Sequence, residues 1–243
     1  MISQHKKTIS QFVTEDYRTA EVFNNYKIDF CCNGKKPLED VCRDKNLNAD
    51  VLLNELESVK KNKLQETVNY DTWPLDLLAD YIEKKHHRYV EKKLPEITAY
   101  LNKVVDAHSK NHIELIDVQR MFGESAGELT MHMRREELIL FPFIRTLSAA
   151  KENNNKVSAP HFGTVSNPIQ MMMAEHSNEG ERFKSIESIT NNFTPPADAC
   201  NTYRVMLALL KEFQDDLHLH IHLENNILFP KSIELENELV INN

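Results

Sequence analysis

The sequence predicts an all-α protein: an antiparallel up-down four-helix bundle preceded by a small helical domain. Three observations carry that expectation. Only five glycines occur in 243 residues, far below the roughly 7% of an average chain. Four long stretches place apolar residues at heptad spacing. The breaks between them are short and built from Ser, Asn and Pro, which favours antiparallel neighbours.

Residues 1–60 read as short helical stretches with turn signals at Asn33-Gly34 and Pro37. A polar linker is expected over 61–72. The bundle should occupy 73–235, opening with Thr72-Trp73-Pro74, where Thr72 can cap and Pro74 can sit in a first turn. Its helices are expected near 74–107, 112–147, 166–190 and 198–229.

The four seams can be followed residue by residue. The first is His87, Val90, Leu94, Ile97, Leu101 and Val104; the third is Ile169, Met173, His176, Gly180 and Phe183. The second runs Leu115, Val118, Phe122, Ser125, Leu129, His132, Glu136, Ile139 and Phe143. The fourth runs Tyr203, Met206, Leu210, Phe213, Leu217, His220, Glu224 and Ile227. The second and fourth share a pattern 88 residues apart: a His, a Glu four residues later, then Leu-Phe-Pro ending at Pro142 or Pro230.

A carboxylate on a bundle seam is costly unless something compensates its charge, and a His one turn earlier lies on the same face. Depth points the same way. His87 lies 13 residues after Pro74 and His176 lies 8 after Pro168, while His132 and His220 each lie 10 before a proline. At ~1.5 Å per residue, an antiparallel bundle brings these to one level. A lone seam His is usually a satisfied core residue. His87, His132, Glu136, His176, His220 and Glu224 together are better read as ligands of two ions, each with two His and shared Glu bridges. The donor mix fits iron, with manganese and zinc left open. Six-coordination would leave room for a bridging oxygen and a small diatomic.

Other histidines are set aside. The stripe Leu75, Leu78, Ile82 favours His86, the downstream seam favours His87, and His87 is taken as the ligand. His218 and His222 lie on the face opposite His220 and are expected at the surface or just behind the site. His108 and His112 lie 21 or more residues beyond His87, about 30 Å along a helix. Gly180 is expected to leave small ligands an opening one turn after His176.

Composition excludes several classes. No GxGxxG or GxxxxGK loop supports nucleotide binding. A net charge of −8 with no basic stripe argues against nucleic acid. No apolar run approaches the ~20 residues of a membrane span, and no apolar run follows the first residues to make a signal peptide. Four cysteines, two of them adjacent, do not form a disulfide framework, so a cytoplasmic location is expected. Within Asp29-Phe-Cys31-Cys32-Asn-Gly34, the paired thiols read either as small buried side chains or as a reactive, metal-binding pair. Cys42 and Cys200 are expected to be ordinary.

These motifs together resemble the iron–sulfur cluster repair family of di-iron proteins over nearly the whole chain. The likeness rests on Asp-Phe-Cys-Cys-Asn-Gly, His87 seven residues before Leu94-Pro-Glu, His132-Met-Arg-Arg-Glu136-Glu, Ala-Glu-His176 and His220-Ile-His-Leu-Glu224-Asn-Asn. It implies a hemerythrin-like bundle holding a non-haem di-iron centre with bridging carboxylates and an oxo or hydroxo bridge. It further implies restoration of iron–sulfur clusters after nitrosative and oxidative stress, with damaged iron–sulfur proteins as clients and Cys31 and Cys32 assisting iron or redox transfer. Capture of NO or O2, or NO reduction at the two irons, are the alternatives, and a homodimer is a further expectation. The resemblance also associates His108 with the site, against the depth argument.

Overall fold

The computed structural model describes residues 4–61 and 68–241. Half of the linker expected over 61–72, residues 62–67, lies outside the described residues, and the described half includes a single 3-10 turn at Tyr70–Thr72. The chain folds as expected, into a small helical domain and a four-helix bundle.

The first domain comprises α1 (Ile9–Glu15), α2 (Thr19–Asn25), α3 (Leu38–Asp44) and α4 (Ala49–Lys61). Thr8 and Gln11 form a reciprocal capping box at the start of α1, which satisfies amides that the first helical turn leaves unpaired. Ile9, Phe12, Phe23, Phe30, Leu38, Leu52 and Leu56 are buried in a core that is continuous with that of the bundle. The loop between α2 and α3 carries the cysteine pair. Gly34 is required in that loop, because a Cβ there would collide with the Phe30 carbonyl oxygen.

The bundle helices are α5 (residues 75–108), α6 (114–152), α7 (Ser166–Ile189) and α8 (201–239). Helices α5, α6 and α8 are not uniform. Each contains one wide π-helical segment, at Ile82–His87, Glu136–Leu140 and Glu224–Leu228 respectively. The last two are explained by sequence. Pro142 and Pro230 have no N–H to continue the regular ladder, and each ring clashes with the preceding turn; widening that turn by one residue removes the conflict.

This corrects two expectations. Pro230 does not end the fourth helix, so α8 continues to Leu239, and α6, expected to about 147, continues to Glu152. The extra residue also shifts the seam of α6: Leu140, Phe141, Ile144 and Leu147 are buried while Ile139 is exposed, and Phe143 is only half-buried. The four donors on α6 and α8 therefore sit 15–20 residues before the ends of their helices.

Below the donors the bundle core is aromatic. Phe213 contacts Phe122 edge-on at 5.6 Å and stacks on Phe183 at 5.6 Å. In the α7–α8 connection, Asn191, Asn192 and Phe193 take three successive left-handed conformations. Asn tolerates that region, and burial of Phe193 anchors the turn. Near the ends of α6 and α8 a two-residue parallel strand pair joins Val157–Ser158 to Val240–Ile241.

Truncating the ring that links three helices should be costly. Phe213→Ala is expected to lower stability by about 3–5 kcal/mol, the range for emptying a buried aromatic site. Denaturant unfolding followed by circular dichroism measures this.

Candidate metal centre

The wide turns place the donors. In α5, the stripe Leu78–Ile82 above and the seam Val90–Leu94 below are out of phase by the one residue that the segment Ile82–His87 adds. Both His86 and His87 are consequently fully buried. In α6 and α8 the segments begin at Glu136 and Glu224, so each carboxylate stays one regular turn from its His and points inward.

The six residues singled out in the sequence come together. Their side chains form two groups, His87–Glu136–His220–Glu224 and His132–Glu136–His176–Glu224, within each of which the donor atoms lie within 4.8 Å of one another. Both carboxylates belong to both groups. His87 Nε2 lies 3.4 Å from Glu136 Oε2, and His132 Nε2 lies 3.3 Å from the same oxygen. Across the centre, His220 Nε2 is 3.1 Å from Glu224 Oε1 and His176 Nε2 is 3.2 Å from Glu224 Oε2.

The ring nitrogens facing away from the centre fix the tautomers. His87 Nδ1 donates to Glu137 at 2.8 Å, His132 Nδ1 to Glu175 at 2.8 Å and His176 Nδ1 to Asn225 Oδ1 at 2.9 Å. A neutral imidazole that donates through Nδ1 has a bare lone pair on Nε2. His132 and His176 then aim two such lone pairs at each other across 3.0 Å. Among the described residues, His87 Nε2 and both Glu136 oxygens find no hydrogen-bond partner. Acceptors converge on acceptors in a dry core, an arrangement that only cations satisfy.

In the absence of metal, protons serve instead. Burial opposes charge on His87, but Glu136 and Glu224 outweigh it and raise its pKa to about 10. Burial likewise opposes charge on His132, and Glu136 with Glu175 raises it to about 10. Glu224 is held well below its usual range despite burial, chiefly by His220 and His176.

The comparisons with known proteins fit this geometry. Residues 78–232 match the hemerythrin HHE cation binding domain, and residues 5–60 match ScdA_N, described as a domain of unknown function (DUF542). The chain is 33% identical over 229 residues to a probable iron–sulfur cluster repair protein of Haemophilus influenzae, covering 93% of this chain and 96% of that one. It belongs to the iron–sulfur cluster repair family. It is also 30% identical over 231 residues to the repair protein YtfE of Musicola paradisiaca, covering 95% and 98% of the two chains. With the repair protein ScdA of Staphylococcus haemolyticus the figures are 26% over 227 residues, and 93% and 98%.

In this member of the family the cysteine loop is joined directly to the donor helices. Asp29 Oδ1 accepts from the amides of Cys31 and Cys32 at 3.1 and 2.9 Å, which folds the loop tightly. Cys32 Sγ donates to the His176 carbonyl at 3.4 Å. Asn225 Nδ2 donates to the Cys31 carbonyl at 3.2 Å, while its oxygen holds the His176 ring. Asp29, Cys31 and Cys32 form a third group of potential metal donors. Hydrogen bonding with Cys32 and burial push the Cys31 thiol well above its usual range.

The histidines outside the two donor groups, and Gly180, have neighbours of their own. His222 is 1% exposed and His218 only partly exposed, because Phe30 and Tyr17 of the first domain cover them. Gly180 faces Cys32, whose sulfur would lie 3.4 Å from an added Cβ, an ordinary contact, so it borders the cysteine loop rather than an opening for small ligands. His108 stands with Cys200 and Tyr203 at the far end of the bundle, as the rise per residue required. His86 is buried beside the centre, but its Nδ1 binds Asp216 at 3.1 Å and its ring stacks on His220.

Sequence reasoning missed Glu137, Glu175, Asn225 and Glu179. The first three are chain neighbours of Glu136, His176 and Glu224, and their position just off the seam was the available signal. Glu179, buried against Ser125 and Arg182, has its pKa raised mainly by burial.

Two outcomes follow. Asn225→Ala removes the acceptor that orients His176, and metal affinity should fall by about 10–100-fold, the usual effect of losing such a partner; titration with ferrous iron and a competing chelator measures it. In metal-free protein, the stability contributed by the raised pKa values of His87 and His132 is fully present below pH 6.5 and lost as pH climbs through about 10. The thermal midpoint of metal-free protein should fall across that window, and the metal-loaded profile should be flatter.

Proposed function

We propose that this protein repairs iron–sulfur clusters damaged by oxidative or nitrosative stress by supplying iron to them. The observation that carries the reading is the sharing of Glu136 and Glu224 between two four-donor groups, set directly beneath a loop that presents two thiols. His87, His132, Glu136, His176, His220 and Glu224 would hold two non-haem irons, with the two carboxylates as bridges. Bound there, the irons supply redox and ligand-exchange chemistry, with the coordination positions that the protein leaves open available to NO or O2.

The rest is the work of this chain's own groups. Glu137, Glu175 and Asn225 hold three rings in the metal-binding tautomer. Buried Phe141 and Phe229 stack on the His87 and His176 rings and keep water from those donors, which strengthens their attraction for a cation. Asn225 couples ring orientation to the position of the Cys31 backbone, so movement of the thiol loop is felt at His176. The thiol sulfurs and the Asp29 carboxylate, on the loop bonded to His176 and Asn225, would offer released iron a further set of donors, and thiolates bind iron well. Clients would be damaged iron–sulfur proteins, met in the cytoplasm; among the described residues no helix is long and apolar enough to cross a membrane.

Cys31→Ser/Cys32→Ser, loaded with iron, separates delivery from small-molecule chemistry. Iron content should be kept while reactivation of a damaged 4Fe–4S client falls at least tenfold. Full reactivation would remove the thiols from the pathway. Steady turnover of NO with release of N2O by the wild type, without client repair, would favour the reductase reading.

A further inference from the structure

The end of the bundle opposite the metal donors carries its own group of reactive side chains. Cys200 stands at the N-cap position of α8, exposed to solvent. His108, the last residue of α5, places Nε2 3.2 Å from the Cys200 sulfur. Tyr203 fills the space between the rings of His108 and His112, at 5.3 and 5.7 Å from them. His112 is itself fixed between Glu114 at 3.1 Å and Asp198 at 3.0 Å, and Asp198 lies on the loop that delivers Cys200. The imidazole and the thiol are therefore held together by a built corner.

We propose that Cys200 is a thiol-modification site, a nucleophile activated by His108 that takes low-molecular-weight disulfides into a mixed disulfide. The Cys200 thiolate attacks one sulfur of the small disulfide, forming a new S–S bond as the original one breaks. Cys200 is oxidised, the departing half of the disulfide is reduced, and that thiolate takes a proton from water or from the His108 imidazolium. Excess small thiol reverses the exchange.

Two features of the corner favour the thiolate. Attraction to the Tyr203 backbone amide and to His108 lowers the Cys200 pKa to about 7, as expected for a sulfur at a helix N-terminus beside a His. The remaining groups facing the pair are His112, Glu114, Asp198 and Tyr203. Tyr203 is pushed up to about 12, mainly by burial, and stays neutral.

No other cysteine offers this combination. Cys31 and Cys42 are buried, with their thiols pushed upward, and Cys32 is half-buried with its thiol hydrogen given to the His176 carbonyl. Twenty residues of α8 separate Cys200 from His220, about 30 Å of helix, so an adduct at Cys200 leaves the metal donors undisturbed. The inference does not depend on the proposed repair function.

The size of the effect follows from the thiolate fraction. At pH 7 about half of a thiol titrating near 7 is ionised, against about 1% of one titrating near 9. The lower intrinsic nucleophilicity of the more acidic thiol leaves a net advantage of about sixfold.

The test treats the full-length, iron-loaded protein with oxidised glutathione and maps adducts by peptide mass spectrometry over time. The first adduct should appear on Cys200, be reversed by reduced glutathione and vanish in Cys200→Ser. His108→Gln should slow the reaction severalfold and move the midpoint of its rate–pH curve upward, with iron content and helical signal unchanged. A first adduct on Cys31 or Cys32 would overturn the proposal. So would a His108→Gln protein with the rate and midpoint of the wild type.

Discussion

Two carboxylates in a dry core dominate this structure. Glu136 and Glu224 are fully buried, and an unpaired buried charge is among the costliest features a fold can carry. The bundle meets that cost by surrounding them with imidazoles from all four helices, His87, His132, His176 and His220. Protons on His87 and His132 offset the charge when metal is absent. Cations do so better, since three of the four rings are already oriented through Nδ1 for Nε2 to bind one. The same constraint explains the ring partners: each acceptor behind a ring raises its basicity and fixes its angle.

Backbone geometry lets four different helices satisfy that constraint at one level. Wide turns at His87, Glu136 and Glu224 alter the register by one residue where donors must point inward. In α6 and α8 a proline six residues after the Glu enforces the turn, so the repeated Leu-Phe-Pro is part of the site although it supplies no ligand. The first domain uses the surface that this creates. Its cysteine loop lies over Gly180 and Asn225, and its Phe30 and Tyr17 cover His218 and His222. Thiol loop and donor set are thereby one hydrogen-bonded unit.

The sequence carried much of this in its spacing. Heptad seams, scarce glycine and short polar breaks were enough for the fold, since long amphipathic helices leave few other ways to bury four stripes. The donors were readable because a His and Glu on an otherwise apolar seam are energetically conspicuous. Register within the wide turns was not readable: apolar periodicity assumes a regular 3.6-residue turn, which placed Ile139 inside when it is exposed and made His86 and His87 competitors when both are buried. Burial of His218 and His222 was equally out of reach, because it depends on packing between segments that no local pattern connects. Cys200 looked ordinary for the same reason, its partner His108 being 92 positions away.

Glu136 and Glu224, shared by both donor groups, would hold two irons as one electronic unit. Metal analysis and Mössbauer spectroscopy of wild-type protein beside Glu136→Ala and Glu224→Ala test it most directly. Two irons per chain are expected, magnetically coupled in the wild type and lost or uncoupled in each variant. A wild type that is fully folded and active without metal, or whose irons are uncoupled and unaffected by either substitution, would contradict it.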